Sequence, residues 1–345
     1  MVNSDHDGTT IAVIGAGSWG TALAAHLSAQ RLPTVLWARE PEVVVGIDEE
    51  HRNPLFLSDV ELPIGLRVTG DIDEAAGAGR VVVTAVPVQF LRSTLTGVEP
   101  LRSADVVVTV SKGIEADSLH TPHRILEELG VDGDRIVALS GPSFAKEVAR
   151  RQPAAVVAAG ADARRTEWIQ TLFSTDRFRV YTSSDIVGVE VGGALKNVIA
   201  LAAGVSDGLE VGDNARAAII TRGLAEMTRL GVAMGADPST FSGLSGIGDL
   251  VLTCAGGLSR NRSVGMAIGR GRTLDEIRAE MNEVAEGVAT CRSARALADR
   301  VGVEMPITEQ MYLLLYEDKD PRDAMVDLLG RRLRDERGDD AGRPS

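Results

Sequence analysis

Ile11-Ala12-Val13-Ile14-Gly15-Ala16-Gly17-Ser18-Trp19-Gly20 is the stretch whose reading decides the fold. Four apolar residues predict a short buried strand, and helix-prone residues 21–29 follow the last glycine at once. A G-x-G-x-x-G spacing alone is weak, but here it lies between a strand and a helix near the N-terminus, the context that a dinucleotide fingerprint requires. In that reading Gly15 makes the tight turn, Gly17 lets the backbone approach a pyrophosphate, and Gly20 lets helix and strand pack closely. The helix start then offers unpaired N–H groups and a positive dipole end to the phosphates. The alternative is a glycine-rich βα turn with a structural role only.

Working outward, Val-rich runs alternate with amphipathic stretches, the pattern of βαβ units. The runs are 11–14, 34–37, 67–69, 81–85, 106–110, 136–139 and 154–158, with an eighth at 178–181. From about residue 184 the texture becomes helical, and Ser183, Ser184 and Asp185 are candidate N-caps. Further helices are expected at 214–234, 261–269, 274–281, 287–301, 307–316 and 321–329. This predicts an α/β N-terminal Rossmann-type domain with a mainly parallel sheet (10–183), followed by an all-α domain (184–332). Flexible ends are expected at 1–9 and 333–345, the latter charged and rich in Gly and Pro.

Composition narrows the function. With a net charge of −13, the chain has no basic excess to bind nucleic acid non-specifically. An anionic substrate must therefore be held by local cations against the global field. Aromatics make up only 3%, so the core must be built from Val, Leu, Ile and Ala. Cys254 and Cys291 match no metal or disulfide spacing, which points to a reducing cytoplasm and to no metal. The polar start has no apolar signal segment. The apolar stretch 186–205 contains Glu190 and Lys196 and reads as a buried helix, so no membrane span is expected.

Polar groups at strand ends are the candidate site residues, because ligands collect at the carboxyl ends of open α/β sheets. The second strand ends in Arg39-Glu40: the arginine suits an NADP 2′-phosphate and the glutamate suits the NAD ribose, or the two form a solvated pair. Val86-Pro87-Val88-Gln89, Ser111-Lys112-Gly113 and Ser140-Gly141-Pro142-Ser143 follow three other strands. Lys112 is either a cation beside the cofactor or an ordinary loop lysine. In the helical half, Gly192-Gly193 implies close approach by something, such as a cofactor ring, since helical glycines cost about 1 kcal/mol each. Lys196 is either a proton-transfer group with a lowered pKa or a snorkelling lysine. Asp249 falls in a Gly-rich bend, and Ser259-Arg260-Asn261 reads as a helix start suited to a phosphate monoester, or as ordinary capping.

The ordered series GAGSWGTALA, VPVQF, SKGIEA, SGPSFAKEV, GGALKNVIALAAG, NARAAIITRGLAEM, SGIGDLVLTC, SRNR and VEMPITE resembles the bacterial NAD(P)-dependent glycerol-3-phosphate dehydrogenase family over about residues 10–332. That resemblance implies a helical domain like the C-terminal part of 6-phosphogluconate dehydrogenase. It implies interconversion of dihydroxyacetone phosphate and sn-glycerol 3-phosphate with NAD or NADP, in support of phospholipid synthesis. Carried over, the pattern puts Ser18, Trp19, Arg39, Lys112, Ala145, Arg260, Val284 and Glu286 on the nucleotide, beside Gly15, Gly17 and Gly20. It puts Lys112, Gly141, Ser143, Lys196, Asp249, Ser259, Arg260 and Asn261 on the substrate, a small phosphorylated triose. Lys196 would exchange the proton, with Lys112 and Asp249 as its partners. Two rivals remain, a β-hydroxyacid dehydrogenase-like enzyme and a catalytically silent NAD(P)-sensing module. No oligomeric state follows from the sequence, which leaves room for a homodimer.

Overall fold

The structure, a computed structural model, describes residues 8–280 and 285–330. Residues 1–7 and 333–345, expected to be flexible, lie outside the described residues, as does Val284. Thr9, assigned above to the flexible N-terminus, is instead buried.

Eight strands form one sheet in the order β3-β2-β1-β4-β5-β6-β7-β8. They are β1 (Ile11–Ile14), β2 (Thr34–Trp37), β3 (Arg67–Thr69), β4 (Val81–Thr84), β5 (Val106–Thr109), β6 (Ile136–Ser140), β7 (Ala154–Ala159) and β8 (Phe178–Ser183). Every neighbouring pair is parallel except β6 with β7. Strands β1, β4 and β5 are buried along their whole length, which explains why their sequences read as short runs rich in Val and Ile without polar alternation. Alternate residues serve opposite faces: Ile11, Val13 and Val83 enter one core, Ala12, Ile14 and Val82 the other. The chain leaves β1 toward β2 on one side and reaches β4 on the other. A crevice therefore opens where the strand order reverses, with Ile14 level with Trp37 and Thr84.

Beyond β8 the described chain is helical. The helix Ile186–Gly208 forms its axis, and of the candidate caps it is Asp185 that accepts from Gly188 N–H at 2.8 Å. It is long and apolar enough to cross a membrane, yet every residue from Gly188 to Ser206 is buried inside the protein. Other helices wrap it because small residues let their backbones come close. A Cβ at Gly204 would stand 2.1 Å from the Arg262 carbonyl oxygen, and one at Gly265 2.1 Å from that of Leu201. The helix Arg260–Gly269 is thereby held against the axis.

One expectation is corrected and another finds its partners. Asp249 does not lie in a loose bend: a π-helical turn, Leu244–Gly248, runs into the helix Asp249–Ala255, with Asp249 in its first turn. That helix is too short for a periodic apolar pattern, and Gly246 and Gly248 disguised its start. The close approach expected at Gly192 and Gly193 is made by protein: a Cβ at Gly192 would meet the Ser245 carbonyl oxygen at 2.5 Å, and one at Gly193 the Ser140 hydroxyl at 2.9 Å.

The helix crossing gives a stability prediction. Gly265→Val should force the two helices apart and cost about 3 kcal/mol, the upper range for overpacking. A urea-unfolding midpoint equal to that of the unsubstituted protein would show that the crossing tolerates a side chain.

Candidate active site

The crevice at the carboxyl end of β1 is a cleft of about 380 Å³. Gly15 turns the chain with φ +114°, and a Cβ at Gly20 would fall 1.9 Å from the Gly15 carbonyl oxygen, so the helix Ser18–Ala29 starts hard against the strand. Gly15, Gly17, Ser18 and Trp19 line one wall, Arg39 and Glu40 the rim, and Val86, Pro87 and Phe90 the far side. Around Gly17 the position of a Cβ is open. Arg260 and Glu286 reach the same cleft from the helical half. Arg39 is three-quarters exposed, and its Nε and Nη2 both donate to Glu40 Oε1, at 3.0 and 2.8 Å.

Sequence reasoning missed the residue that holds this loop in shape. Asn53 is fully buried and donates from Nδ2 to the Ala16 carbonyl and to Thr21 Oγ1, both at 2.8 Å. Its Oδ1 accepts from the N–H groups of Leu55 and Phe56, at 3.2 and 3.0 Å. Ser18 Oγ in turn donates to the Phe56 carbonyl at 2.8 Å. The one signal in the sequence is the pair Asn53-Pro54, which marks a turn and says nothing of its partners.

Past the end of β5, three charged residues meet. Lys112 Nζ donates to Asp249 Oδ2 at 2.7 Å, and Lys196 Nζ donates to Asp249 Oδ1 at 2.5 Å. Lys196 and Asp249 are buried, so Lys196 does not snorkel. The adjacent glycines of its helix make the meeting possible. Gly192 admits the turn that presents Asp249, and a Cβ at Gly193 would crowd the Ser140 hydroxyl at 2.9 Å while meeting the Lys112 stem only at ordinary contact distance. Thr253, also missed, donates to the Asp249 backbone carbonyl at 2.6 Å and accepts from Lys196 Nζ at 3.1 Å. Its only sequence signal is the four-residue spacing from Asp249.

Burial pushes the Lys196 ammonium down to about 8; Asp249 opposes that shift and the nearby Lys112 charge adds to it. Burial acts to raise the Asp249 carboxyl, but the two ammonium groups outweigh it and hold it below the usual carboxylate range. The result is a permanent carboxylate shared by two lysines, one of which titrates near neutrality.

The remaining candidates make contacts of their own. Ser259 caps the helix Arg260–Gly269, its Oγ accepting from Arg262 N–H at 3.3 Å. Asn261 is buried, and its Oδ1 accepts from Gly287 N–H at 3.0 Å. Gly141 and Ser143 lie on the turn after β6, where Ser143 Oγ donates to the Gly141 carbonyl at 3.0 Å. Ala145 opens the helix Ala145–Ala149 beside Leu57 and Val60. Neither these residues nor the lysine pair line the 380 Å³ cleft, which does reach Val110 and Ser111, next to Lys112.

The chain is similar to known proteins along nearly its whole length. The model described as NAD-dependent glycerol-3-phosphate dehydrogenase N-terminus matches residues 10–166, and the C-terminus model of that name matches 185–326. A protein of Geobacter metallireducens named glycerol-3-phosphate dehydrogenase (NAD(P)+) is 56% identical over 335 residues, 96% of this chain and 100% of the relative. A second of that name, from Salinibacter ruber, is 50% identical over 331 residues, 95% of this chain and 96% of its own. The solved glycerol-3-phosphate dehydrogenase of Coxiella burnetii superposes with a TM-score of 0.89 at 37% identity, covering 94% of this chain and 99% of that one. Likeness of this extent, over both halves and on the fold of a solved member, admits one assignment: the chain belongs to the NAD-dependent glycerol-3-phosphate dehydrogenase family.

Proposed function

We propose that this chain interconverts dihydroxyacetone phosphate and sn-glycerol 3-phosphate with NADH or NADPH, and that Lys196 exchanges the proton on the C2 oxygen. The observation that carries the proposal is the pair of lysines, Lys196 buried and Lys112 partly so, sharing the buried Asp249 carboxylate beside a dinucleotide-type cleft.

The cleft fits the cofactor on chemical grounds. Its strand, glycine turn and helix start leave backbone N–H groups and open space at Gly17 for a pyrophosphate. Gly15, Gly17, Ser18, Trp19 and Gly20 would hold that part, Arg39 and Glu40 the adenosine ribose, and Lys112, Ala145, Arg260 and Glu286 the remainder. When bound, nicotinamide supplies or takes up the hydride at substrate C2. In reduction, Lys196 as ammonium gives its proton to the C2 oxygen; in oxidation, the neutral amine takes it back. A proton-transfer group works best with a pKa near the operating pH, and about 8 meets that condition. Asp249 holds both lysines in place, while Lys112 orients the carbonyl and keeps Lys196 from becoming too basic.

The substrate phosphate is assigned to the helix start at Ser259, Arg260 and Asn261, with Gly141 and Ser143 completing the pocket. We assign the reaction to the cytoplasm, which suits two buried free thiols, and its product to phospholipid synthesis. A β-hydroxyacid enzyme would bring a carboxylate rather than a phosphate to that helix start. A silent sensor would have no use for a lysine held near 8.

Four measurements test these roles. The kcat for reduction should stay level at low pH and fall as pH rises through about 8, because the ammonium is the reactive form; oxidation should show the opposite limb. Lys196→Met should lower kcat by about 10²–10⁴-fold while cofactor binding, followed by fluorescence, survives. Near-normal turnover would move the proton to another group.

Arg39→Ala should weaken NADPH and leave NADH nearly unchanged, because only NADPH carries the 2′-phosphate. An equal loss for both cofactors would show that Arg39 does not read that position.

Arg260→Ala, assayed at saturating cofactor, should cost at least about tenfold in kcat/KM for dihydroxyacetone phosphate, the equivalent of one charge-assisted hydrogen bond. The loss on unphosphorylated dihydroxyacetone should be much smaller. The same factor on both substrates would place the phosphate elsewhere.

A further inference from the structure

The segment Val86-Pro87-Val88-Gln89 stands out in the sequence, yet the reaction as described gives Gln89 nothing to do. It belongs to the first turn of the helix Val88–Leu95, whose neighbours Val86, Pro87 and Phe90 line the cofactor cleft. Gln89 itself bonds the other way. Its Nε2 donates to the Ile114 carbonyl at 2.7 Å, and its Oε1 accepts from Ala116 N–H at 3.0 Å. Both bonds enter the loop that carries Lys112.

The same short segment grips that loop at further points. Ser111 Oγ donates to the Val86 carbonyl at 2.6 Å. Gly113, with φ +119°, passes so close that a Cβ there would meet Val88 Cγ1 at 2.7 Å and Thr290 Oγ1 at 3.0 Å. One turn along the helix, Arg92 holds Glu115 with Nε at 3.0 Å and Nη2 at 2.8 Å. Lys112 thus stands at the middle of a loop clamped before and after it by one wall of the cofactor cleft. Gln89 is the clamp that bonds the loop's backbone from both sides of residue 115.

We propose that Gln89 is a positioning residue for the reaction: its carboxamide fixes the 111–116 loop, and with it the Lys112 ammonium, at a set distance from the wall of the cofactor cleft. The proposal rests on the role given to Lys112 above. It has a consequence at Lys196. The groups facing that lysine are Asp249, Lys112, the Thr253 hydroxyl and the thiol of Cys254, and of these Lys112 is a cation whose displacement lets Lys196 become more basic.

The test is a double-mutant cycle of Gln89→Leu and Lys112→Met, with kcat, KM and pH profiles measured for dihydroxyacetone phosphate reduction. Gln89→Leu keeps the side-chain volume and removes both hydrogen bonds. Since a misplacement of about 1 Å can cost on the order of 10²-fold, a loss of about ten- to a hundredfold in kcat is expected, with KM for NADH unchanged. The alkaline limb should move to higher pH, and in the Lys112→Met background Gln89→Leu should cost nothing more. An equal loss in both backgrounds, or a loss with the limb unmoved, overturns the proposal and leaves the role of Lys112 intact. Full activity of Lys112→Met overturns both. If a thermal melt shows that Gln89→Leu is unfolded, Gln89→Glu takes its place. It keeps the acceptor for Ala116 and sets a carboxylate against the Ile114 carbonyl, and the same readouts decide.

Discussion

Two lysines from opposite halves of the chain share the Asp249 carboxylate, and much of the architecture serves that contact. Buried ions are expensive: each costs several kcal/mol of lost hydration, which attraction offsets only where geometry is good and the remaining polar atoms are satisfied. Here the carboxylate has an ammonium on each oxygen, and Thr253 takes another N–H of Lys196. One positive charge is left over in the cluster, which suits a site for an anionic substrate in a chain of net charge −13. It also keeps Lys196 poised to lose its proton near neutral pH.

Backbone contacts rather than side-chain reach bring the three groups together. The lysine helix has no Cβ atoms at Gly192 and Gly193, where it meets the Ser245 carbonyl on the approach to Asp249 and the Ser140 hydroxyl at the end of β6. It lacks them again at Gly204 and Gly208, where the helix Arg260–Gly269 crosses it and delivers Arg260 to the cofactor cleft. The two halves are further joined by a buried pair. Glu190 accepts from His123 N–H at 2.9 Å and engages His123 Nδ1 with its other oxygen, so the helix carrying Lys196 is tied to the helix Pro122–Glu128. Burial works to lower the His123 pKa, but Glu190 outweighs it and holds the imidazole above its ordinary value. Position is thus set by rigid elements on either side of the site, which is what catalysis by placement and charge requires.

The central strands were legible because strands buried on both faces read as near-continuous apolar runs, as in β4 and β5, whereas the edge strand β8 showed itself by alternation. Their positions agree with those read from the sequence to within a residue or two at each end. Lys112, Lys196, Asp249, Ser259 and Arg260 were legible as candidates from a strand end, an apolar helix, a glycine-rich bend and a helix start, and the family resemblance raised Lys112, Lys196 and Arg260 above their ordinary alternatives. Asn53 and Thr253 were not, and Gln89 was visible only as part of a strand-end segment with no role attached. Each acts by hydrogen-bonding backbone or side chains from another part of the chain, and polar residues in turns and first helical turns are too common to announce a distant partner.

The sequence by itself determined the α/β sheet, the change to helix after β8, the glycine fingerprint and the residue types available for hydride-transfer chemistry. These follow from local patterns, since periodicity, propensity and turn chemistry act over a few residues. Only the tertiary structure decided that Gly192 and Gly193 face protein, that Asp249 opens a helix, and that the two lysines meet on one carboxylate. Those facts depend on segments 53 and 137 positions apart coming within hydrogen-bonding distance. A pKa near 8 for Lys196 is likewise a property of that assembled, desolvated cluster, and no window of the sequence contains it.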